Sequence, residues 1–208
     1  MAHGVDAEAF SPVRRIRPAD SFCIGYVGRL TPEKNVRFLV DLEKGLIAAG
    51  QRNFRFAVVG DGGEREWLRK NLQSGEFLGT LHGNALAEAF VGMDVFVFPS
   101  RTETFGLVVL EALASGVPVV VSPETGARVG VRHGITGFHA QDLSAFTQSV
   151  LLLMNNETLR REMSCTAREF ACSKTWCGVF EDLYRTYQTG LEAIGLAIAD
   201  QQISQKRE

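Results

Sequence analysis

Four apolar runs of strand length, FCIGYVG (22–28), FRFAVVG (54–60), DVFVFPS (94–100) and VPVVVS (117–122), punctuate this chain and leave little choice of fold. Apolar strands alternating with helical stretches mean a parallel sheet covered on both faces. The fold class is therefore α/β: a Rossmann-like, doubly wound parallel sheet of about six strands with extra C-terminal helices. The expected strand order is 3-2-1-4-5-6, in which strands 1 and 4 are neighbours and ligands bind where their C-terminal ends diverge.

The segments between the strands read as follows. TPEKNVRFLVDLEKGLIAAG (31–50) predicts one helix, with Thr31 able to cap it, Pro32 in its first turn and Gly50 at its end. DGGEREWLRKNLQ (61–73) turns into a second helix, FLG (77–79) is a short strand and ALAEAFVGM (85–93) a third helix. Residues 105–115 form a helix, and a glycine-spaced loop leads to TGFHA (136–140). The remainder is helical over 141–154, 156–172 and 175–197. Residues 1–20 are an irregular lead-in, 21–174 the Rossmann-like unit, 175–197 a C-terminal helix and 198–208 a polar, frayed tail.

With 208 residues there is room for one good core and not for two full α/β domains. A net charge of −2 gives no electrostatic footprint for nucleic acid. Cys23, Cys165, Cys172 and Cys177 form no C-x-x-C pair and have no histidine at ligand spacing, so reduced thiols and no metal site are expected. No apolar leader and no membrane span are read, which points to the cytoplasm.

Three loops carry the chemistry. Strand 1 ends in GRLTPEK, where Arg29 leaves the C-terminal edge and Lys34 falls in the first turn of the next helix. A helix N-terminus is already positive, so Lys34 is either a solvated cation or half of an anion site. Strand 4 ends in PSRTETFG, where Gly106 lets a ligand approach the free amides of Phe105, Gly106 and Leu107. Arg29, Lys34 and those amides are expected to face one cavity. Strand 2 ends in GDGGE, but Arg65 stands where G-x-G-x-x-G needs glycine, so no dinucleotide site is read. Asp61 is taken as a helix cap and Gly62–Gly63 as a tight turn.

In LVVLEALA the single polar residue is Glu111. A buried carboxylate without partners costs several kcal/mol or becomes neutral. Glu111 therefore either accepts hydrogen bonds from a ligand's hydroxyls or pairs with a core arginine. Glu103, on the loop, would reach the same cavity from its other side.

YVGRLTPEKN, VVGDG, DVFVFPSRTETFGLVVLEALASGVPVV and HGITGF together resemble the C-terminal domain of retaining glycosyltransferases of the GT-B fold, family 4. The E-x7-E pair is Glu103 and Glu111. HGVDAEAFSP (3–12) resembles the family's interdomain hinge. The resemblance implies a donor site for a nucleotide-diphosphate sugar, with no metal or other cofactor, in an enzyme that transfers a hexose. Arg29 and Lys34 would hold the diphosphate and Glu103 the transferred sugar, the three with catalytic weight. Glu111 would bind the ribose; the backbone of Phe105, Gly106 and Leu107 would meet phosphate and sugar. Gly28, Gly60 and Leu81 would flank the donor. It also implies a missing N-terminal half that holds the acceptor, against which the helix 175–197 would pack. An apolar stripe of Trp176, Phe180, Leu183, Tyr187, Leu191 and Ile194 would then be exposed and favour self-association. Thr125–Gly126 and Val129 stand where many relatives carry Gly-Gly and a glutamate. The alternative is a non-catalytic nucleotide-sugar binding module acting alone or with a partner chain.

Overall fold

The computed structural model describes residues 4–14 and 21–205. Its strands are β1 (Phe22–Val27), β2 (Phe54–Val59), β3 (Gly75–Gly79), β4 (Val95–Phe98), β5 (Val119–Val121) and β6 (Gly137–His139). They form one parallel sheet in the order β3-β2-β1-β4-β5-β6, as the alternating pattern predicts. The helices are α1 (Phe38–Ala48), α2 (Arg65–Asn71), α3 (Gly83–Val91), α4 (Leu107–Ala114), α5 (Leu143–Asn155), α6 (Glu157–Cys172) and α7 (Trp176–Gln205).

Successive residues of a strand point to opposite faces, so each strand feeds two cores. Ile24, Tyr26, Phe56, Val58, Val95, Val97 and Val120 pack on one side with α1 and α5. Cys23, Val27, Ala57, Val59, Phe96, Phe98, Val119 and Val121 pack on the other with α3, α4 and α6. Central strands buried on both faces cannot alternate in polarity, which is why they read as unbroken apolar runs. Strand β3 differs. It is an edge strand with every second residue exposed, so its apolar signal covers less than its true length and it begins at Gly75 rather than 77.

The buried carboxylate of Glu43 on α1 accepts from the Gln73 and Ser74 amides, at 3.0 and 2.6 Å. It thereby fixes the turn that feeds β3. Arg37 grips Glu64 through Nε and Nη2, at 2.6 and 3.2 Å, and lies over the Trp67 ring. This joins the start of α1 to the start of α2.

Three expectations are corrected. Residues 31–50 are not one helix: a 3₁₀ turn, Pro32–Lys34, ends at Asn35 in the left-handed region, and α1 begins at Phe38. Asp61 does not cap α2; it accepts from the Gly62 amide (2.7 Å) and pairs with Arg65 (2.8 Å), and the helix starts four residues later. The tail is helical to Gln205, continuing α7, while 206–208 lie outside the described residues. Part of the lead-in is docked: the Val5 amide donates to the Lys174 carbonyl (2.9 Å). Arg168 donates to the carbonyls of Phe10 (2.6 Å) and Ala114 (2.7 Å).

Candidate functional site

Strands β1 and β4 pair at Ile24–Val95 and Gly25–Phe96, and the ladder ends there. The loops beyond their C-terminal ends meet over that crevice. Because Asn35 turns the chain left-handed, Lys34 is not carried into α1, where the sequence placed it. Its ammonium instead meets Glu103 Oε2 at 2.6 Å. The two side chains are 13% and 25% exposed, so the pair is screened less than one on the open surface.

Glu103 is held from behind. The Gly126 amide donates to its carbonyl at 2.7 Å and the Thr125 hydroxyl at 3.4 Å. Burial by itself would push the Glu103 carboxyl up. Lys34, and then the Thr104 and Gly106 amides, outweigh burial and hold it below the ordinary value. Gly106 has φ 66 and caps the start of α4; a Cβ there would overlap the Ala127 side chain. Glycine is thus required for both the conformation and the close approach. The flanking Phe105 and Leu107 side chains are exposed.

Glu111 stands in the second turn of α4. Among the described residues its Oε2 has no hydrogen-bond partner. Burial raises its carboxyl above the ordinary value. No arginine answers it among those residues, so the core pairing that the sequence left open is not formed.

A second cluster lies over β1 and β2. A cavity of about 200 Å³ is lined by Gly28, Arg29, Gly60 and Leu81, together with Asp61 and Thr80. At Gly60 the backbone has φ 131, and a Cβ would overlap the Gly28 carbonyl, so two loop backbones touch there. The Arg29 side chain is 70% exposed and lies 3.5 Å from Glu33. The sequence placed Arg29 and Lys34 in one cavity. In the structure Lys34 is not among the residues lining this one; Arg29 lies beside Glu33, and Lys34 pairs with Glu103.

A model of the family described as Glycosyl transferases group 1 matches residues 21–156. The chain belongs to that family. A GDP-mannose-dependent alpha-mannosyltransferase of Mycolicibacterium smegmatis is 34% identical over 203 residues, covering 90% of this chain and 50% of that protein. The chain thus spans about half the length of that relative. The Anabaena protein HepE, solved in complex with UDP and glucose, superposes with a TM-score of 0.76 at 20% identity, over 89% of this chain and 55% of that one. The C-terminal domain of a group 1 glycosyl transferase (LpcC) from Francisella tularensis gives a TM-score of 0.68 at 19% identity, over 82% of this chain and 98% of that one. The fold is that of the C-terminal half of a GT-B glycosyltransferase.

Within this group 1 glycosyltransferase chain, sequence reading passed over Tyr26 and Asn35 around the site, and it gave Thr125 no place behind Glu103. Tyr26 is fully buried in β1, and its hydroxyl donates to the Arg29 carbonyl at 3.1 Å. Thr125 is buried behind Glu103. Asn35 makes the left-handed turn beside Lys34. Each left a trace: a polar atom in an apolar strand, a threonine ahead of a glycine, and a poor helix former inside a helical pattern.

Proposed function

We propose that this chain is the donor-binding half of a retaining glycosyltransferase that takes a GDP-sugar and transfers its hexose. The observation that carries the reading is the Lys34–Glu103 pair at the β1/β4 crevice; the partnerless Glu111 Oε2 in the second turn of α4 supports it. A cation and a low-lying carboxylate meet where a doubly wound sheet binds ligands, and in this reading Glu111 faces the same place. Guanine as the base is supported by the GDP-mannose-dependent relative.

In this reading Arg29 and Lys34 hold the diphosphate, Glu103 the sugar and Glu111 the ribose hydroxyls. Gly28, Gly60 and Leu81 flank the nucleoside, and the backbone of Phe105, Gly106 and Leu107 lies along phosphate and sugar. The transition state is oxocarbenium-like, and negative charge grows on the leaving diphosphate. In this reading Arg29 and Lys34 stabilise that charge and no metal is called for. The acceptor sits on an N-terminal half, which the length of the relative supports, and the lead-in at residues 1–20 acts as the hinge to it. Among the described residues no helix is long and apolar enough to cross a membrane, and we place the activity in the cytoplasm.

The test is calorimetry of the chain with GDP-mannose, UDP-glucose and ADP-glucose in the presence of EDTA. Binding of the GDP-sugar in preference to the others is expected. Equal affinity for all three sinks the choice of base, and no binding by any sinks the donor-site reading itself.

A further inference from the structure

Besides the ion pair of Lys34 with Glu103, uncharged groups tie the chain on both sides of Lys34. Asn35 has φ 53 and ψ 37, and among the described residues it alone occupies positive φ without being glycine. Its side-chain amide crosses to the other loop and donates to the Pro99 carbonyl at 3.4 Å. On the opposite flank of Lys34 the Thr102 hydroxyl donates to the Glu33 carbonyl at 3.2 Å. The two loops are therefore stitched on both sides of Lys34, and Glu103 lies on the stitched stretch 99–103. The Asn35 amide donates back to the Pro32 carbonyl, closing the 3₁₀ turn, while its carbonyl accepts from Phe38, starting the next turn. A non-glycine residue in this conformation costs free energy unless its surroundings compensate, and such residues gather at functional sites.

We propose that Asn35 is a positioning residue: its left-handed backbone and its amide contact with Pro99 hold Lys34 in line with Glu103 and with the diphosphate of a bound donor. The inference about Lys34 and Glu103 stands on the geometry alone; the part that concerns the donor rests on the function proposed above. Asparagine suits the position twice over. It tolerates the left-handed region, and it donates a hydrogen bond that glycine lacks. Alanine offers neither. Had residue 35 continued the helix, Lys34 would have stayed in the first helical turn instead of lying across the crevice.

The test uses the whole chain and two readouts. The first needs no ligand: the Glu103 carboxyl is titrated by carbon-detected NMR. In Asn35→Ala its midpoint should move up toward the ordinary glutamate value, because Lys34 no longer faces it, and in Asn35→Gly it should move less. The second is binding of inorganic pyrophosphate and of guanosine by calorimetry. Asn35→Ala should lose about tenfold in pyrophosphate affinity and leave guanosine within about twofold of wild type. In a Lys34→Ala background the same change should cost nothing further for pyrophosphate. An unchanged Glu103 titration, an equal loss for guanosine, or a full loss that persists without Lys34 would each overturn the assignment. If Asn35→Ala does not fold, Asn35→Gly carries the test. Glycine keeps the left-handed conformation but cannot donate to Pro99, and it adds no charge. An unmoved Glu103 midpoint in that variant overturns the proposal, and a raised one supports it. If wild type binds no pyrophosphate while the Glu103 midpoint moves as stated, the positioning role stands and the donor reading falls.

Discussion

Lys34 and Glu103 lie 69 residues apart in the chain, and their charged groups meet at 2.6 Å across the β1/β4 crevice. In the free chain each is the other's counter-ion. A diphosphate entering the site must compete with Glu103 for the ammonium.

Lys34 and Arg29 should therefore respond differently to removal. Lys34→Ala leaves Glu103 partly buried without its cation and should cost about 1–3 kcal/mol of stability. Arg29→Ala, at an exposed side chain, should stay within about 0.5 kcal/mol of wild type. Both should weaken GDP binding and spare guanosine. Denaturant melts and calorimetry on the two variants check this, and equal losses for nucleoside and diphosphate would contradict the roles given to them.

Glu103 and Glu111 should pull stability in opposite directions with pH. The folded-state pKa of Glu103 lies below its ordinary value, so its contribution is present above that ordinary value and fades as pH falls through the folded one. Glu111 is raised by burial, so the native state binds its proton more tightly than the unfolded chain does. Its contribution is full below the ordinary glutamate value and is lost as pH climbs through the raised one. Glu111→Gln should thus melt no lower than wild type at neutral pH, and its advantage should grow as pH climbs from the ordinary glutamate value through the raised one. Its affinity for GDP should fall. A large drop in melting temperature with affinity intact would show that Glu111 serves the fold instead.

Glu43 should be the carboxylate that matters most to folding. It is buried, and it satisfies two backbone amides at once. Glu43→Ala orphans the Gln73 and Ser74 amides and should cost about 2–4 kcal/mol, read from urea melts. Hydrogen exchange at Phe77 and Leu78 should quicken, because the turn feeding β3 loses its anchor. An effect spread evenly over all six strands would refute this local account.

The outer face of α7 should make the chain self-associate while leaving it unable to transfer sugar. Phe180, Tyr187 and Leu191 are 52%, 63% and 69% exposed, and Trp176 and Leu183 lie on the same stripe. The Ile194 side chain falls outside the described residues. Sedimentation should show concentration-dependent dimers, abolished in Phe180→Asp/Tyr187→Asp. Incubation with the donor it binds and candidate acceptors should yield no product by mass spectrometry, since acceptor positioning and cleft closure are lacking. Turnover by a strictly monomeric chain would show that a second half is dispensable.

The buried strands and their order were legible in the bare sequence for a simple reason. A central parallel strand must be apolar on both faces, so runs such as FRFAVVG and DVFVFPS declare themselves without reference to any neighbour. Helical crossovers between them then leave few topologies, and the loops after β1 and β4 fall at one crevice. Arg29, Lys34 and Glu103 could be picked out as charges at the ends of apolar elements, and Glu111 as the one charge within an apolar helix. What each charge meets could not. Whether Lys34 points into solvent, along a helix or at Glu103 turns on one backbone angle at Asn35 and a carbonyl 64 residues away at Pro99. Whether Glu111 finds an arginine depends on which side chains the packed sheet brings within reach, and among the described residues none arrives. Edge strand β3 was under-read because half its residues face outward and its first two are joined to β2 by hydrogen bonds, not by apolar burial. Composition and period govern burial, which is local to a segment; hydrogen bonds and ion pairs join groups distant in sequence, and the packed sheet alone brings those together.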